Sequence, residues 1–434
     1  MKYLFKNLLK SRSIDDYGFS LFISGVFFLP STLFIGIIFL LPAGILGIFL
    51  NKRSYLEDKW NLPFLTFGII IFVSTFLQNF VLENNYEEIW DPTLSILGMG
   101  NWLPFIWLFW AVQPYLDSKS KRRIFGLTII TGSFPILISG FGQYFLNWTG
   151  PFETLNGLIV WYQRPIVSPG GLTGLFNNQN YAGAWLNLVW PFCISLSLEN
   201  RNNIFRKLIT FSFLFSVGFA AFLTFSRNAW LGLLTSLPII LGKKIIRMYI
   251  PIAIYLIVLL FLFSQFFNSD VQTVIKNLFP EKIYLEFSQE GYKDLDINRI
   301  GIFSSALNLI KLNPLFGIGA ASFSPIFLFE TTFWKGHSHN LLLELAISYG
   351  LPATIIFFCT VTFILLLSFK LLFLNPKRID TSLFDKAFWA SLFFFLISQL
   401  VDIQYFDGKI STITWILLAG LKKIIEGKES NLVN

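Results

Sequence analysis

At 434 residues, 54% of them hydrophobic and only 13% charged, the chain cannot cover itself with polar surface in water, where a soluble domain carries about 25% charged residues. Its net charge of +8 does not mark a nucleic-acid binder, because the charges sit in short clusters between apolar runs, as topology control by the positive-inside rule requires. Cys193 and Cys359 both fall inside apolar runs and read as inert packing residues that imply no disulfide framework.

The basic stretch Met1–Arg12 is followed by an apolar segment too long for a cleavable signal and without a convincing cleavage site. Apolar runs then predict helices at 17–29, 31–50, 62–82, 98–116, 124–146, 179–198, 207–225, 228–242, 246–267, 340–372, 385–402 and 410–421. The first two are separated only by Pro30 and Ser31, so Pro30 kinking one long helix is the competing reading. The run 340–372 exceeds the ~20 residues needed to span a bilayer, so it tilts or extends beyond the bilayer on the cytoplasmic side. The fold class expected is an all-α integral membrane protein of about 12 transmembrane helices. It is read as one polytopic domain, 1–434.

The connecting segments alternate in charge. Twenty-four of the 33 Lys and Arg residues fall in one alternate set, which includes both termini; the other nine are spread over much longer segments. That asymmetry places both termini in the cytoplasm, and an even number of helices preserves it. Two extracytoplasmic loops are large, 147–178 and 268–339. Within the second, 298–312 reads as an amphipathic helix with Ile300, Phe303, Leu307 and Ile310 on one face, able to lie on the membrane surface. No repeat or low-complexity tract is present.

Four polar groups fall on the extracytoplasmic side. In the first, Gly171-Leu-Thr-Gly174 precedes Asn177, Asn178, Gln179, Asn180 and Tyr181 at a helix entrance. Helix capping accounts for one Asn; the remaining amides suit sugar hydroxyls or a phosphate. In the second, Ser226-Arg227-Asn228-Ala229-Trp230 makes a tight turn between apolar helices. An Arg snorkelling to headgroups beside a Trp anchor is the bland reading. Yet Arg is disfavoured both on this face and at a helix N-terminus, which points to an anionic partner such as a phosphate. The third is Arg299, at the start of the amphipathic helix and subject to the same argument. It precedes Pro314-Leu-Phe-Gly317-Ile-Gly319, whose glycines permit close approach of backbone and ligand.

The fourth is His337-Ser338-His339-Asn340, which holds the only two histidines of the chain and opens the long apolar run. Two imidazoles spaced i,i+2 with no Cys or nearby carboxylate make a poor zinc site, so no metal is expected. The helix N-terminus favours neutral imidazole at His339, which can serve as a general base. Glu344 lies one turn into the helix; an intramembrane carboxylate is a functional candidate, with a hydrogen bond to Asn340 or a pair with an Arg as the plainer reading. Asp294-Leu-Asp296 resembles a metal-binding D-x-D, and a solvated loop is the other reading. Asp402 and Asp407, around Tyr405 and Phe406, stand at the outer end of a helix and can orient a basic group. Arg164 is the lone basic residue of the first large loop.

Taken in order and spacing, NNQNYAG, LTFSRNAWLGLL, NRIGIFSSALNLIKLNPLFGIGAASF and HSHNLLLELAISYGLPA resemble the O-antigen ligase/polymerase superfamily, from about Gly171 to Ala353. Family members often carry Gln where this chain has Glu344, and an acidic residue where it has Ser348. The resemblance implies a metal-independent, inverting glycosyltransferase with no cofactor. The donor would be an undecaprenyl-diphosphate-linked glycan, and the acceptor a glycan or a lipid A-core-like molecule. The enzyme would act at the outer face of a bacterial inner membrane. By carry-over, Arg227 and Arg299 bind the diphosphate and His339 activates the acceptor hydroxyl. Arg164, Asn177, Asn178, Asn180, His337, Asn340, Glu344 and Asp402 are candidates for substrate contact or support. A bicarbonate- or anion-transporter-like protein is the alternative, since some superfamily members have carried that label. Against it, ionisable residues cluster on one side and mid-helix charge is nearly absent apart from Glu344. A membrane scaffold would not need the Arg–Arg–His set.

Overall fold

The computed structural model describes residues 13–82, 86, 88–167, 170–199, 203–242, 247, 251, 299–374 and 382–433. In chain order its helices are α1 (Ile14–Phe28), α2 (Leu33–Leu50), α3 (Asn61–Phe80), α4 (Thr93–Gly98), α5 (Leu103–Ala111) and α6 (Lys119–Gly132). Next come α7 (Phe134–Leu146), a hairpin of β1 (Phe152–Thr154) and β2 (Ile159–Trp161), α8 (Gln179–Glu199), α9 (Ile204–Leu223) and α10 (Arg227–Leu241). The last are α11 (Arg299–Leu312), α12 (Phe323–Thr331), α13 (Leu341–Phe369), α14 (Leu383–Ser398) and α15 (Gly408–Val433). Two compact units result: Met1–Ser133 with Ile297–Asn434, and Phe134–Asp296.

Among the described residues, seven helical stretches are long and apolar enough to cross a membrane: Leu33–Leu50, Asn61–Phe80, Thr93–Ala111, Lys119–Leu146, Gln179–Glu199, Ile204–Leu223 and Leu341–Leu374. The chain is therefore mostly helical and multi-pass. The expected count of twelve included α1, α10 and α14, which have 15, 15 and 16 residues. It also included α15, which carries Lys409, Lys422, Lys423 and Glu426 along its length. The run 246–267 and the loop segment 268–298, with Asp294 and Asp296, lie outside the described residues. At Pro30 the chain makes two helices, not one kinked helix. Thr32 caps α2 by accepting from the Ile35 amide at 3.1 Å, and the Ser13–Asp16 capping box starts α1.

The core of the first unit is aromatic. Phe64 meets Trp415 at 5.0 Å and Phe109 at 4.8 Å between ring centroids, and Trp102 stacks on Tyr405 at 4.6 Å. Tyr405 Oη donates to the Asn101 carbonyl and accepts from Trp415 Nε1, so the polar tips are satisfied where the rings are buried. Two buried ion pairs join distant segments. Arg122 Nε donates to Asp385 Oδ1 at 2.6 Å with Nη2 on Oδ2, and Lys422 Nζ donates to Asp58 Oδ2 at 2.5 Å.

The run 340–372 is not one long helix. Gly350 breaks α13 with φ 85° and ψ 170°, leaving a short half-helix Leu341–Tyr349 and a longer segment from Leu351. The break strands backbone groups that a bilayer cannot hydrate, and the Pro314–Gly319 loop receives them. The Ile318 amide donates to the Ile347 carbonyl at 2.7 Å, and the Leu351 amide donates to Pro314 O at 2.7 Å. Gln78 Nε2 donates to Ser348 O and Phe316 O, and Ser74 Oγ donates to Tyr349 O. The close approach excludes any side chain. A Cβ on Gly350 would lie 2.2 Å from Leu315 O, and one on Gly317 would lie 2.5 Å from Ile347 O. The glycines of this motif thus fit the chain's own backbone instead of a ligand.

The amphipathic segment forms α11, but with a different inner face. Ile302, Ala306, Leu309 and Ile310 are buried and Phe303 packs beside them, whereas Ile300 and Leu307 are exposed. The inner face packs on α12 and α13 through Phe323, Phe327 and Ile347. Of the two cysteines, Cys193 is buried in α8, while Cys359 is exposed on α13 and is not a packing residue.

In the second unit α8 packs against α9 and α10. Asn187 Nδ2 donates to Asn228 O and Trp190 Nε1 to Leu233 O. Gly183 sits where a Cβ would touch Ala229. The loop after the hairpin is pinned by buried Gln143, whose Oε1 accepts from the amides of Thr173 and Gly174, each at 2.9 Å.

Candidate active site

Four consecutive residues between α14 and α15 organise the site of the first unit. The Gln399 carbonyl accepts from the Leu341 amide at 2.8 Å, and the Leu400 carbonyl from Asn340 Nδ2 at 3.0 Å. The Val401 carbonyl accepts from Arg299 Nη1. The Asp402 carboxylate takes His339, with 2.7 Å between Oδ1 and Nδ1. One turn of chain therefore gathers Arg299, His339, Asn340 and the start of α13.

The histidine turn is held from the helix side as well. Asn340 caps α13 by accepting from the amides of Leu342 and Leu343. Glu344, buried at 4% exposure, accepts from the Ser338 amide at 2.8 Å. Its partner is thus the turn preceding the helix; neither an Arg nor Asn340 takes that place. His339 adopts the left-handed region at φ 56°, unusual for a residue with a Cβ, and these caps hold it there. Its amide donates to His337 Nδ1 at 3.1 Å, and the two rings meet edge to face at 4.5 Å.

Asp402 is itself oriented. Gln404 Nε2 donates to Oδ2 at 2.8 Å, and Gln399 Nε2 donates to Gln404 Oε1 at 2.8 Å. Burial alone would raise the Asp402 carboxyl, but the His339 hydrogen bond and the neighbouring His337, His339 and Arg299 hold it below its ordinary value. An ionised carboxylate only accepts, so His339 Nδ1 carries the proton and Nε2 is the ring's acceptor. Burial, reinforced by His339 and Arg299 against the pull of Asp402, pushes His337 down to about 4. His337 is therefore neutral at neutral pH.

The remaining candidates lie in the second unit. Arg227 begins α10 and is exposed. The turn before it is set by Phe225 at φ 51° and by Trp230, which stacks on Phe222 at 5.4 Å and donates through Nε1 to Phe222 O. Trp230 thus folds back on its own turn. Arg164 donates through Nε and Nη2 to Asn177 Oδ1 and sits 5.4 Å over the Tyr162 ring. Asn178 Oδ1 accepts from the Asn180 amide in the first turn of α8, and Gln179 Oε1 accepts from the Gly171 amide. Several of the amides credited to sugar binding are thus engaged within the loop.

His337, His339 and Asp402 offer donor atoms that all lie within 4.8 Å of one another. The premise that no carboxylate stands near the histidines fails, because Asp402 is 63 residues away in sequence and adjacent in space. Gln399 and Gln404 were missed from sequence. Their signal is the cluster Gln399, Asp402 and Gln404 at the exit of an apolar helix, where three polar side chains exceed what a turn needs.

No curated protein matches the chain. The family model described as O-antigen ligase matches residues 209–358, from within α9 to within α13. The matched segment contains Arg227, Arg299, His337, His339, Asn340 and Glu344, while Asp402 and Gln404 lie beyond it. Over that segment the chain, a multi-pass membrane protein, is similar to the O-antigen ligase family, which supports the resemblance to the O-antigen ligase/polymerase superfamily.

Proposed function

We propose that this protein transfers a glycan from an undecaprenyl-diphosphate donor to an acceptor hydroxyl, as an O-antigen ligase-like enzyme or a polysaccharide polymerase. It works without a metal at the outer face of a bacterial inner membrane, with both termini in the cytoplasm. The observation that carries the chemistry is the His339–Asp402 contact of 2.7 Å, which leaves Nε2 as the acceptor. The acceptor O–H gives its proton to Nε2 as its oxygen bonds to C1 of the donor sugar. The C1–O bond to the diphosphate breaks, and a single displacement inverts the anomeric centre. Asp402 stabilises the imidazolium that forms.

Negative charge develops on the leaving diphosphate, and preorganised cations stabilise it. Arg227 and Arg299, each at a helix N-terminus where a cation opposes the macrodipole, take that role. Asn340 and Glu344 hold the histidine turn. His337 assists the acceptor, and Arg164, Asn177, Asn178 and Asn180 are assigned to glycan contact.

The test uses purified protein, lipid-linked donor and acceptor, with a chelator in parallel. General-base catalysis contributes ~10²–10⁴-fold, so His339→Ala nearly abolishes transfer while donor binding persists. His337→Ala has the milder effect. Greater damage from His337→Ala would reverse the assignment, and loss of wild-type activity in chelator would overturn the metal-free mechanism.

A further inference from the structure

We infer that His337, His339 and Asp402 form a transition-metal site whose occupation by Zn²⁺ switches the transfer reaction off. The donors come from two separate segments, one turn before α13 and one after α14, and converge to within 4.8 Å. Two imidazoles and one carboxylate, with a fourth position left for water, are a ligand set that zinc accepts in open sites. The carboxylate is supported as ligating carboxylates usually are, by Gln404 Nε2 on its second oxygen at 2.8 Å. His339 is half-buried, its side chain 27% exposed, so an ion can reach it.

The internal bonds of the cluster are of the kind an ion replaces: His339 Nδ1 to Asp402 Oδ1 at 2.7 Å, and the His339 amide to His337 Nδ1 at 3.1 Å. Arg299, bonded to Val401 O next to Asp402, opposes any cation. That bias favours ions with high imidazole affinity, such as Zn²⁺ and Co²⁺, over Mg²⁺ and Ca²⁺. The regulatory half of the inference rests on His339 being the base. An ion on Nε2 occupies the lone pair that takes the acceptor proton. An ion on Nδ1 shifts the ring proton to Nε2, with the same result. Both routes conserve the proton count on a neutral ring, and no redox partner is needed.

Binding and activity are measured separately on the full-length protein in detergent. Zn²⁺ binding is followed by calorimetry, Co²⁺ binding by visible absorption. The expected result is one Zn²⁺ per chain, displaced by Co²⁺ but not by millimolar Mg²⁺. Affinity should fall by more than about 100-fold in His337→Ala and in Asp402→Asn, beyond the ~10–100-fold loss typical of a supporting residue. These two substitutions lie on different segments, and unchanged elution and melting guard against misfolding of either. Transfer should fall in proportion to Zn²⁺ occupancy and return with chelator. Absence of Zn²⁺ binding, or binding indifferent to both substitutions, overturns the site. Binding without inhibition overturns the switch. If His339→Ala keeps normal transfer in metal-free buffer, the base assignment fails while the binding result stands on its own.

Discussion

Asp402 presents one oxygen to His339 and the other to Gln404, so its orientation is set from both sides. Asp402→Asn keeps the shape, but its amide can present an N–H where the carboxylate accepted. The imidazole then loses its tautomer control. Transfer should fall on the order of 10²–10⁴-fold with donor KM nearly unchanged, and an effect confined to KM would remove Asp402 from the proton path. Gln404→Leu removes only the outer bond, and a loss of roughly 10–100-fold is expected, as for supporting residues elsewhere. At the arginines, Arg227→Lys keeps charge but loses the bidentate fork, and Arg299→Ala loses both. Losing a charge-assisted bond to a buried phosphate costs about 2–5 kcal/mol, to be read from kcat/KM; near-normal transfer in either variant would exclude that residue from donor binding.

The half-helix Leu341–Tyr349 carries the histidine turn at one end and the Gly350 break at the other. Its rigidity depends on the Pro314–Gly319 loop filling the break. Gly350→Val places a Cβ against Leu315 O, where only 2.2 Å is available, and requires φ 85° of a β-branched residue. Left-handed strain alone costs about 1–3 kcal/mol, and the clash adds to it, so a clear drop in melting temperature or loss of folded yield is expected. Gln78→Leu strips partners from Phe316 O, Ser348 O and Ser95 Oγ. Each orphaned buried group costs about 1–3 kcal/mol. Thermal unfolding in detergent measures both variants, and wild-type melting in Gln78→Leu would show that this polar junction is not what fixes the half-helix.

At the scale of the molecule, two buried ion pairs tie sequence-distant segments for which the charge pattern predicts the cytoplasmic side. Arg122–Asp385 links the start of α6 to α14, and Lys422–Asp58 links α15 to the segment before α3. Breaking one partner strands the other charge, which costs about 3–5 kcal/mol. Arg122→Met should therefore destabilise strongly, and the double variant Arg122→Met/Asp385→Leu should recover much of the loss. Failure of that recovery would mean that the pair is not the relevant interaction. Topology is checked by cysteine labelling after Cys193 and Cys359 are replaced. Engineered positions 166, 275 and 335 should label from outside, and 120 and 379 only from inside. Labelling of 275 from the cytoplasm alone would overturn the assignment, and with it the grouping of the motifs.

Helix existence, membrane character and the resemblance to the O-antigen ligase family over 209–358 were legible in the sequence, because apolar runs and ordered local motifs survive without knowledge of contacts. The motifs around Arg227, Arg299 and His339 that carry the resemblance are local in sequence, and the matched segment 209–358 contains all three. Three things were not legible. The break at Gly350 is invisible to hydropathy, since apolar residues continue on both sides and the stranded carbonyls find donors in Gln78, Ser74 and Ile318 from other segments. The inner face of α11 depended on which neighbours it met; with apolar residues on more than one side, periodicity alone left Ile300 and Leu307 on the wrong face. The pairing of His339 with Asp402 joins residues across 63 positions and across the length of α13 and α14. A hydrogen bond acts over about 3 Å in space and carries no sequence spacing, so only the packed helices decided which carboxylate met the imidazole.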